Sequence, residues 1–128
     1  VENSIFNGIA KNITNLSGSF QYANFINYGT EIRLLSNNLF TSLVSLRNIA
    51  SLFSYSTGLY IDKNMFSPVL NQYISDVSGF MVYASTKEAL TVPEFWKWKN
   101  IESYSTCYYN VSPKPKNDSD IPNTYKHM

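Results

Sequence analysis

Apolar residues in the first half of the chain recur every three or four positions, the spacing that places side chains on one face of an α-helix. The segment "TSLVSLRNIASLF", residues 41–53, shows this spacing clearly. One such series runs from Phe6 to Ala23 and a second runs from Ile32 to Phe53, with a change of phase near Gly29. The pattern predicts one long bent helix, or two helices that share an apolar stripe.

In the second half of the chain the helical spacing of apolar residues recurs once and then gives way mainly to patterns typical of strands. A further helix is predicted around residues 66–74, where Phe66, Leu70 and Ile74 share a face with Val69 and Tyr73. The remaining predicted elements are a buried strand at 79–85, a short helix opened by "TVPE" at 91–94, a strand at 104–111 and a polar, proline-bearing loop. The order is therefore long helix, helix, strand, helix, strand and loop, an α+β fold, and no internal repeat is predicted.

The long apolar stripe also predicts a partner. It extends over some fifty residues, and a helix of that length would be about 75 Å long at 1.5 Å per residue. A domain of this size cannot cover such a helix by itself. We therefore expect a homodimer that forms through the N-terminal helix.

Composition narrows the class of protein. The net charge is +1 and only 15% of residues are charged, which argues against a nucleic-acid partner because such proteins neutralise phosphates with a basic face. Polarity comes instead from Asn, Ser and Tyr, which favours an extracellular module.

Four sequons, compatible with secretion, make these side chains candidates for N-glycosylation: Asn12, Asn15, Asn110 and Asn117. No apolar run approaches the ~20 residues that span a bilayer, so we expect membrane attachment only through flanking segments.

Residues that carry chemistry are sparse. The single histidine, His127, lies in the polar tail, and the carboxylates show no paired helical spacing. One cysteine, Cys107, allows no internal disulfide and no cysteine-based metal site, and favours a buried thiol over a link between chains. Isolated glycines form no phosphate-binding loop. The segment is therefore predicted to be non-enzymatic, without a metal or a cofactor, although carboxylates distant in sequence could still meet in space.

The stretch "FWKWKN", residues 95–100, has three interpretations. Phe95 and Trp98 fit the inner face of a short helix with solvated lysines between them. Trp98 could instead line a ligand pocket. Alternating Trp and Lys also occur where proteins contact the membrane interface.

The order of these segments resembles a CHASE domain, the extracellular sensory module of histidine kinases and nucleotide cyclases. The resemblance covers residues 20–98 and rests on the Leu-rich stripe that ends at Leu52-Phe53, on Phe66, on the turn Ser78-Gly79-Phe80, and on "LTVPEFWKW" with Glu94-Phe95. It implies the N-terminal half of that family's fold. A stalk-type helical region would occupy residues 1–58, the first part of a PAS-like lobe residues 59–112, and a polar loop residues 113–128, with the domain continuing further.

The resemblance implies a ligand-sensing input module of a transmembrane receptor, on the outer side of the plasma membrane, that signals through a dimeric stalk. Apolar and aromatic residues of the predicted sheet are the candidates for contact with a small-molecule or peptide ligand: Phe80, Val82, Ala84, Trp98 and Tyr108. Two alternatives stay open. One is a structural or adhesive helical ectodomain without a small-molecule ligand, and the other is a secreted enzyme fragment whose catalytic residues lie elsewhere.

Overall fold

The computed structural model describes residues 12–25, 40–61 and 63–127. Within these residues no helix reaches seven residues, and the bounded helical elements are 3-10 turns at Phe95–Lys97, Asp118–Asp120 and Asn123–Tyr125. The same residues contain only isolated parallel β-bridges in place of bounded strands. The predicted α+β fold, a long stalk helix followed by a PAS-like lobe of helices and strands, is therefore wrong. The parts of the predicted stalk at 1–11 and 26–39 lie outside the described residues, and the division at residues 58 and 112 stays a prediction.

Within the described residues the architecture is a stack of four similar backbone segments, which we call rungs 1 to 4. They comprise residues 15–24, 48–57, 76–85 and 103–112. Parallel bridges join the first residues of all four rungs in one column: Asn15, Asn48, Asp76 and Ser103. Further bridges join neighbouring rungs near their ends. The chain therefore coils, returning to the same position in each turn of the coil.

Backbone hydrogen bonds alternate along each rung, as rung 2 shows. The N–H groups of Ile49 and Phe53 donate to carbonyls of rung 3, at Asp76 (3.0 Å) and Phe80 (2.9 Å). Between them, the Leu52 N–H donates within its own rung to the Ile49 carbonyl at 3.1 Å. Each rung is thus a series of overlapping four-residue turns whose remaining donors bind the next rung, so its buried amides are satisfied without a helix or a regular strand.

These overlapping turns explain why the apolar spacing indicated a helix. Leu43, Leu46 and Ile49 are fully buried, as one apolar face requires. Their spacing of three arises because successive turns bond a residue to the third one before it, as between the Leu46 N–H and the Leu43 carbonyl (3.1 Å). In this stretch the periodicity identified the buried residues. It did not show whether the backbone amides bond within the segment or to another rung.

A side-chain cap begins the first three rungs. The Oδ1 atoms of Asn15, Asn48 and Asp76 each accept the N–H of the residue two positions later, at 2.8, 2.9 and 3.0 Å respectively. This is an Asx turn, which Asn and Asp form readily because their short side chains reach their own backbone. The cap fixes where each of these three rungs starts and hence their register in the stack.

Two positions in each rung have positive φ, as the third residue of a type II turn requires. Gly79 occupies one of them in rung 3, with φ of 63°, and Ser51 occupies the equivalent position in rung 2, with φ of 56°. A Cβ atom on Gly79 would lie 3.1 Å from the Ser51 Oγ. Glycine is therefore favoured at this position both by the backbone conformation and by the close approach of rung 2.

Phenylalanines from successive rungs form the centre of the core. Phe20 stacks on Phe53 at 5.6 Å, and Phe53 meets the edge of Phe80 at 5.7 Å. Rings from the connecting segments complete the cluster: Phe25, Phe40, Phe66 and Phe95. Aromatic pairs of this kind contribute about 0.5–1.5 kcal/mol each beyond their burial, so these rings stabilise the stacking of rungs 1 to 3.

The rungs also reveal an internal repeat, which corrects the prediction that the chain has none. Equivalent residues of successive rungs are separated by roughly 30 residues, a period typical of coiled repeat architectures. The rungs share few residue types, chiefly the Asx residue and a later tyrosine. The segments that connect the rungs differ in length and composition.

The C-terminal segment, residues 121–127, covers the last rung. The N–H groups of Thr106 and Tyr108 donate to the carbonyls of His127 (3.2 Å) and Tyr125 (2.8 Å). Within this segment the side chains of Ile121 and Tyr125 are buried. Part of the predicted polar loop therefore takes the place that a fifth rung would occupy, and satisfies the exposed backbone edge of rung 4.

Candidate recognition surfaces

The rungs display a column of tyrosines on the surface, here called the tyrosine ladder: Tyr22, Tyr55 and Tyr83. The rings of Tyr22 and Tyr55 stack at 5.0 Å with an interplanar angle of 16°, and those of Tyr55 and Tyr83 stack at 5.2 Å and 17°. All three are exposed, by 68%, 42% and 44% respectively. Large aromatic side chains are thus held in a fixed array and still face solvent.

The ladder follows directly from the register of the rungs. Each tyrosine occupies the second positive-φ position of its rung, with φ between 57° and 63°. Each N–H donates to the next rung, from Tyr22 to Ser54, from Tyr55 to Val82 and from Tyr83 to Tyr109, at 2.9 Å in every case. The ring spacing is therefore close to the separation of hydrogen-bonded backbone segments, about 4.8 Å. Backbone bonds, rather than the rings themselves, set the geometry of the ladder.

The rungs that carry the ladder contain little charge. Across the four rungs the only charged residue is Asp76, and its Oδ1 accepts hydrogen bonds from the N–H and the hydroxyl of Ser78 (3.0 and 2.7 Å). Ser, Asn and Tyr supply most of the polar groups of the rungs. The rungs therefore offer hydroxyl and amide groups around aromatic rings, with few fixed charges.

A surface cavity of about 300 Å³ lies at the rung 4 end of the ladder. Tyr109, whose ring meets Tyr83 edge-on at 5.3 Å, forms part of its wall. Further lining comes from rung 4, from the residues that follow it and from the C-terminal segment, and includes Asn110, Lys114, Asp118, Lys126 and His127. Lys126 forms an ion pair with Asp118 at 3.7 Å. The ladder is thus continuous with a concave site that is lined by polar and apolar groups alike.

A second concave surface lies between two connecting segments, and we call it the Trp98 groove. It consists of two cavities of about 250 and 290 Å³ that share Pro68, Lys97 and Trp98 in their walls. The remaining lining residues are Lys63, Asn64, Phe66 and Glu94 in the first cavity, and Gln72, Lys99 and Asn100 in the second.

The five side chains predicted to contact a ligand lie in two environments. Phe80 and Ala84 are buried in the core, where the Phe80 ring meets that of Tyr108 at 6.1 Å. Val82 is half-buried, and Tyr108 donates its hydroxyl to the buried Pro93 carbonyl. Trp98 lines the groove on the surface. The structure therefore brings Phe80 and Tyr108 together in the interior, and their role in ligand contact stays a prediction.

The four candidate glycosylation sites also differ in environment. Asn12, Asn15 and Asn110 are exposed. Asn117 is half-buried, and its side-chain amide pairs with the backbone of Val92 in both directions, with both bonds at 3.1 Å. An attached glycan would compete with the bond that the Asn117 Nδ2 donates. Use of any of the sequons stays a prediction.

Groups with potential chemistry are dispersed over the described residues, where no set of three His, Cys, Asp or Glu side chains is placed to hold a metal ion. Burial raises the pKa of the Cys107 thiol well above its usual value, so this cysteine is held as a neutral thiol. Burial likewise raises the pKa of Tyr108.

In the described part of the chain, no helix has the length and apolar character needed to cross a bilayer.

No family model, curated protein or solved structure matches this chain. The resemblance to CHASE domains therefore stays a prediction, and functional inference rests on the surfaces described above.

Sequence reasoning assigned no function to Tyr22, Tyr55 or Tyr83, although a signal for the ladder was present. Each tyrosine follows an Asx residue of its rung at the same distance along the chain. Alignment of "NLSGSFQYAN", "NIASLFSYST" and "DVSGFMVYAS" would have placed the three tyrosines in one column. Their exposure and stacking depend on the fold and could not have been obtained from this alignment.

Proposed function

We propose that this chain is a non-catalytic recognition module that binds another protein through the tyrosine ladder. The observation that carries the proposal is the exposed, ordered stack of Tyr22, Tyr55 and Tyr83. This corresponds to the structural or adhesive alternative considered for the sequence, in which the surface itself is the functional element.

The physical basis is that the ladder lowers the cost of binding. Tyrosine supplies a large amphipathic contact area with only two rotatable side-chain bonds, and is enriched at protein interfaces. Here the stacked neighbours restrict these bonds further, so less conformational entropy is lost when a partner docks. The Ser and Asn side chains of the rungs supply adaptable hydrogen bonds around the aromatic rings.

The chemistry of the surface also specifies the partner. A rung surface with Asp76 as its only charged residue offers no cations for phosphates, so a protein with an uncharged polar surface is favoured over a nucleic acid. Long-range steering by charge is weak on such a surface, and we expect binding that depends little on salt.

A second candidate is the ligand-sensing role implied by the CHASE resemblance, which the 300 Å³ cavity beside the ladder favours. A small molecule or peptide in this cavity would contact Tyr109 and the C-terminal segment. Dimerisation through the N-terminal segment and placement outside the cell stay predictions for either function.

The proposal can be tested with peptide display. A library of random 16-residue peptides would be selected on the wild-type chain, and the affinities of the peptides recovered would be measured on Tyr55→Ser and Tyr73→Ser. Tyr73 is a matched control because it is 50% exposed but lies outside the ladder, beside Arg47. We expect the selected peptides to bind Tyr55→Ser at least tenfold more weakly than the wild type, and Tyr73→Ser with unchanged affinity.

Two results would oppose the proposal. One is a set of peptides that bind Tyr55→Ser as tightly as the wild-type chain, and the other is a selection dominated by peptides that require Tyr73. Circular dichroism and thermal unfolding of both variants would show that the rungs remain folded, so that loss of binding reports on the surface.

A further inference from the structure

One hydrogen bond joins the two walls of the Trp98 groove, and a local bond fixes the turn that carries Trp98. The Asn100 Nδ2 on one connecting segment donates to the Gln72 carbonyl on the other at 2.7 Å. The 3-10 turn Phe95–Lys97 is closed by the bond from the Trp98 N–H to the Phe95 carbonyl (3.0 Å). The groove is therefore formed before any ligand binds, which reduces the entropic cost of occupying it.

The floor of the groove is apolar and fixed. The Trp98 ring packs against Phe95 at 4.9 Å with an interplanar angle of 73°, and Phe95 is itself fully buried. Pro68 lies in the wall of both cavities, and Phe66 lines one of them. A half-buried tryptophan with such support is the type of residue that anchors a partner side chain at an interface.

The rim of the groove is positively charged. Lys63 and Lys97 line the first cavity, and Lys97 and Lys99 line the second. Glu94 pairs with Lys97 at 3.2 Å, but the Lys97 side chain remains 63% exposed. Among the described residues, Lys63 and Lys99 form no ion pair. With three lysines and one glutamate, the groove contrasts with the rungs and favours an anionic occupant.

We propose that the Trp98 groove binds an acidic peptide segment of a partner protein, with one apolar side chain against Trp98 and carboxylates on the lysines. Two adjoining cavities of similar volume, both walled by Trp98, fit neighbouring side chains of one extended peptide. A nucleic acid is less favoured because three lysines neutralise few phosphates. The proposal rests on different residues from the tyrosine ladder and is independent of it.

Tryptophan fluorescence provides a direct test. The chain contains two tryptophans, and the substitution Trp96→Phe leaves Trp98 as the reporter within the groove. The probe is the peptide acetyl-Glu-Glu-Phe-Glu-Glu-amide, compared with the same peptide carrying Gln in place of Glu. We expect a saturable change in Trp98 emission with the acidic peptide, weakened by added salt, and at least tenfold weaker binding of the Gln peptide.

A pair of matched double variants tests the location. Lys97→Ser/Lys99→Ser removes two charges from the groove, whereas Lys114→Ser/Lys116→Ser removes the same charge elsewhere, Lys114 being part of the cavity beside the ladder. We expect at least fivefold weaker binding for the first variant and unchanged binding for the second. Equal loss in both, or no response of Trp98 at millimolar peptide, would overturn the proposal. A response to heparin but not to the peptide would also overturn it, in favour of an anionic polysaccharide.

Discussion

At the scale of single residues, the hydroxyl of Ser54 is an unfavourable feature of the core. Ser54 is buried in rung 2, and its Oγ has no hydrogen-bond partner in the described structure. Two positions later the Ser56 Oγ, also buried, donates to the Phe53 carbonyl at 2.7 Å. The two serines therefore form a matched pair in which only one hydroxyl is satisfied.

We predict opposite effects of the two alanine substitutions. Ser54→Ala should raise the free energy of unfolding by about 1 kcal/mol because a desolvated, unpaired hydroxyl is removed. Ser56→Ala should lower it by about 1 kcal/mol because a buried hydrogen bond is lost. Alanine fits the second site, since Ala23 and Ala84 occupy the equivalent positions of rungs 1 and 3. Urea unfolding would measure both changes, and destabilisation by Ser54→Ala would contradict the assignment of its hydroxyl.

At the scale of elements, the C-terminal segment protects the edge of the stack. Tyr125 is buried, its carbonyl accepts the Tyr108 N–H, and its ring stacks on Tyr104 at 4.5 Å and 7°. We predict that Tyr125→Ala lowers the free energy of unfolding by about 3 kcal/mol, the usual cost of truncating a buried aromatic side chain. Hydrogen exchange should accelerate selectively at the amides of Thr106 and Tyr108.

The amides of Gly79 and Met81 provide an internal control for this prediction. They donate to rung 4 at 2.9 and 2.8 Å and do not contact residues 121–127 through these bonds. In Tyr125→Ala their exchange should accelerate only by the amount that the loss of global stability causes, and less than that of Thr106 and Tyr108. Uniform acceleration at all four amides would show that the segment is not a separate cap, and unchanged protection of Thr106 would contradict the edge-covering role.

At the scale of the whole molecule, a buried thiol and two buried phenols in and beside rung 4 predict that the free energy of unfolding falls at alkaline pH. Burial raises the pKa of Cys107 and of Tyr108 well above their usual values, and, with smaller effects of Cys107 and Tyr104, raises that of Tyr125 to about 12. The unfolded chain releases these protons at lower pH than the folded chain, so above pH 9–10 the unfolded state binds fewer protons and the free energy of unfolding falls.

The expected result is a melting temperature that is insensitive to these groups below pH 9 and decreases progressively as pH rises towards 12. Thermal unfolding followed across this range, with tyrosinate absorbance recorded in parallel, would test it. Tyr125→Phe should flatten part of the decrease because one of the titrating groups is removed. A melting temperature that stays constant to pH 11 would show that these groups titrate equally in both states.

The sequence by itself determined part of the interior, whereas Val69, Leu70 and Tyr73, placed on the apolar face of the predicted helix at 66–74, are exposed. Leu43, Leu46, Ile49 and Phe53, selected by periodicity, are fully buried, and the segment at 79–85 includes the buried Phe80. Burial could be predicted because it depends on the free energy of removing apolar side chains from water, a property of each residue type. The sparse charge of the rungs was also readable from the sequence.

Only the tertiary structure decided how those residues are connected. A spacing of three fits an α-helix and a series of overlapping turns equally well, and the two differ in whether alternate amides bond within the segment or to another rung. That choice depends on a partner segment roughly 30 residues away, which local sequence does not specify. The tyrosine ladder and the Trp98 groove follow from the same register, because each joins residues distant in the chain through the stacking of the rungs.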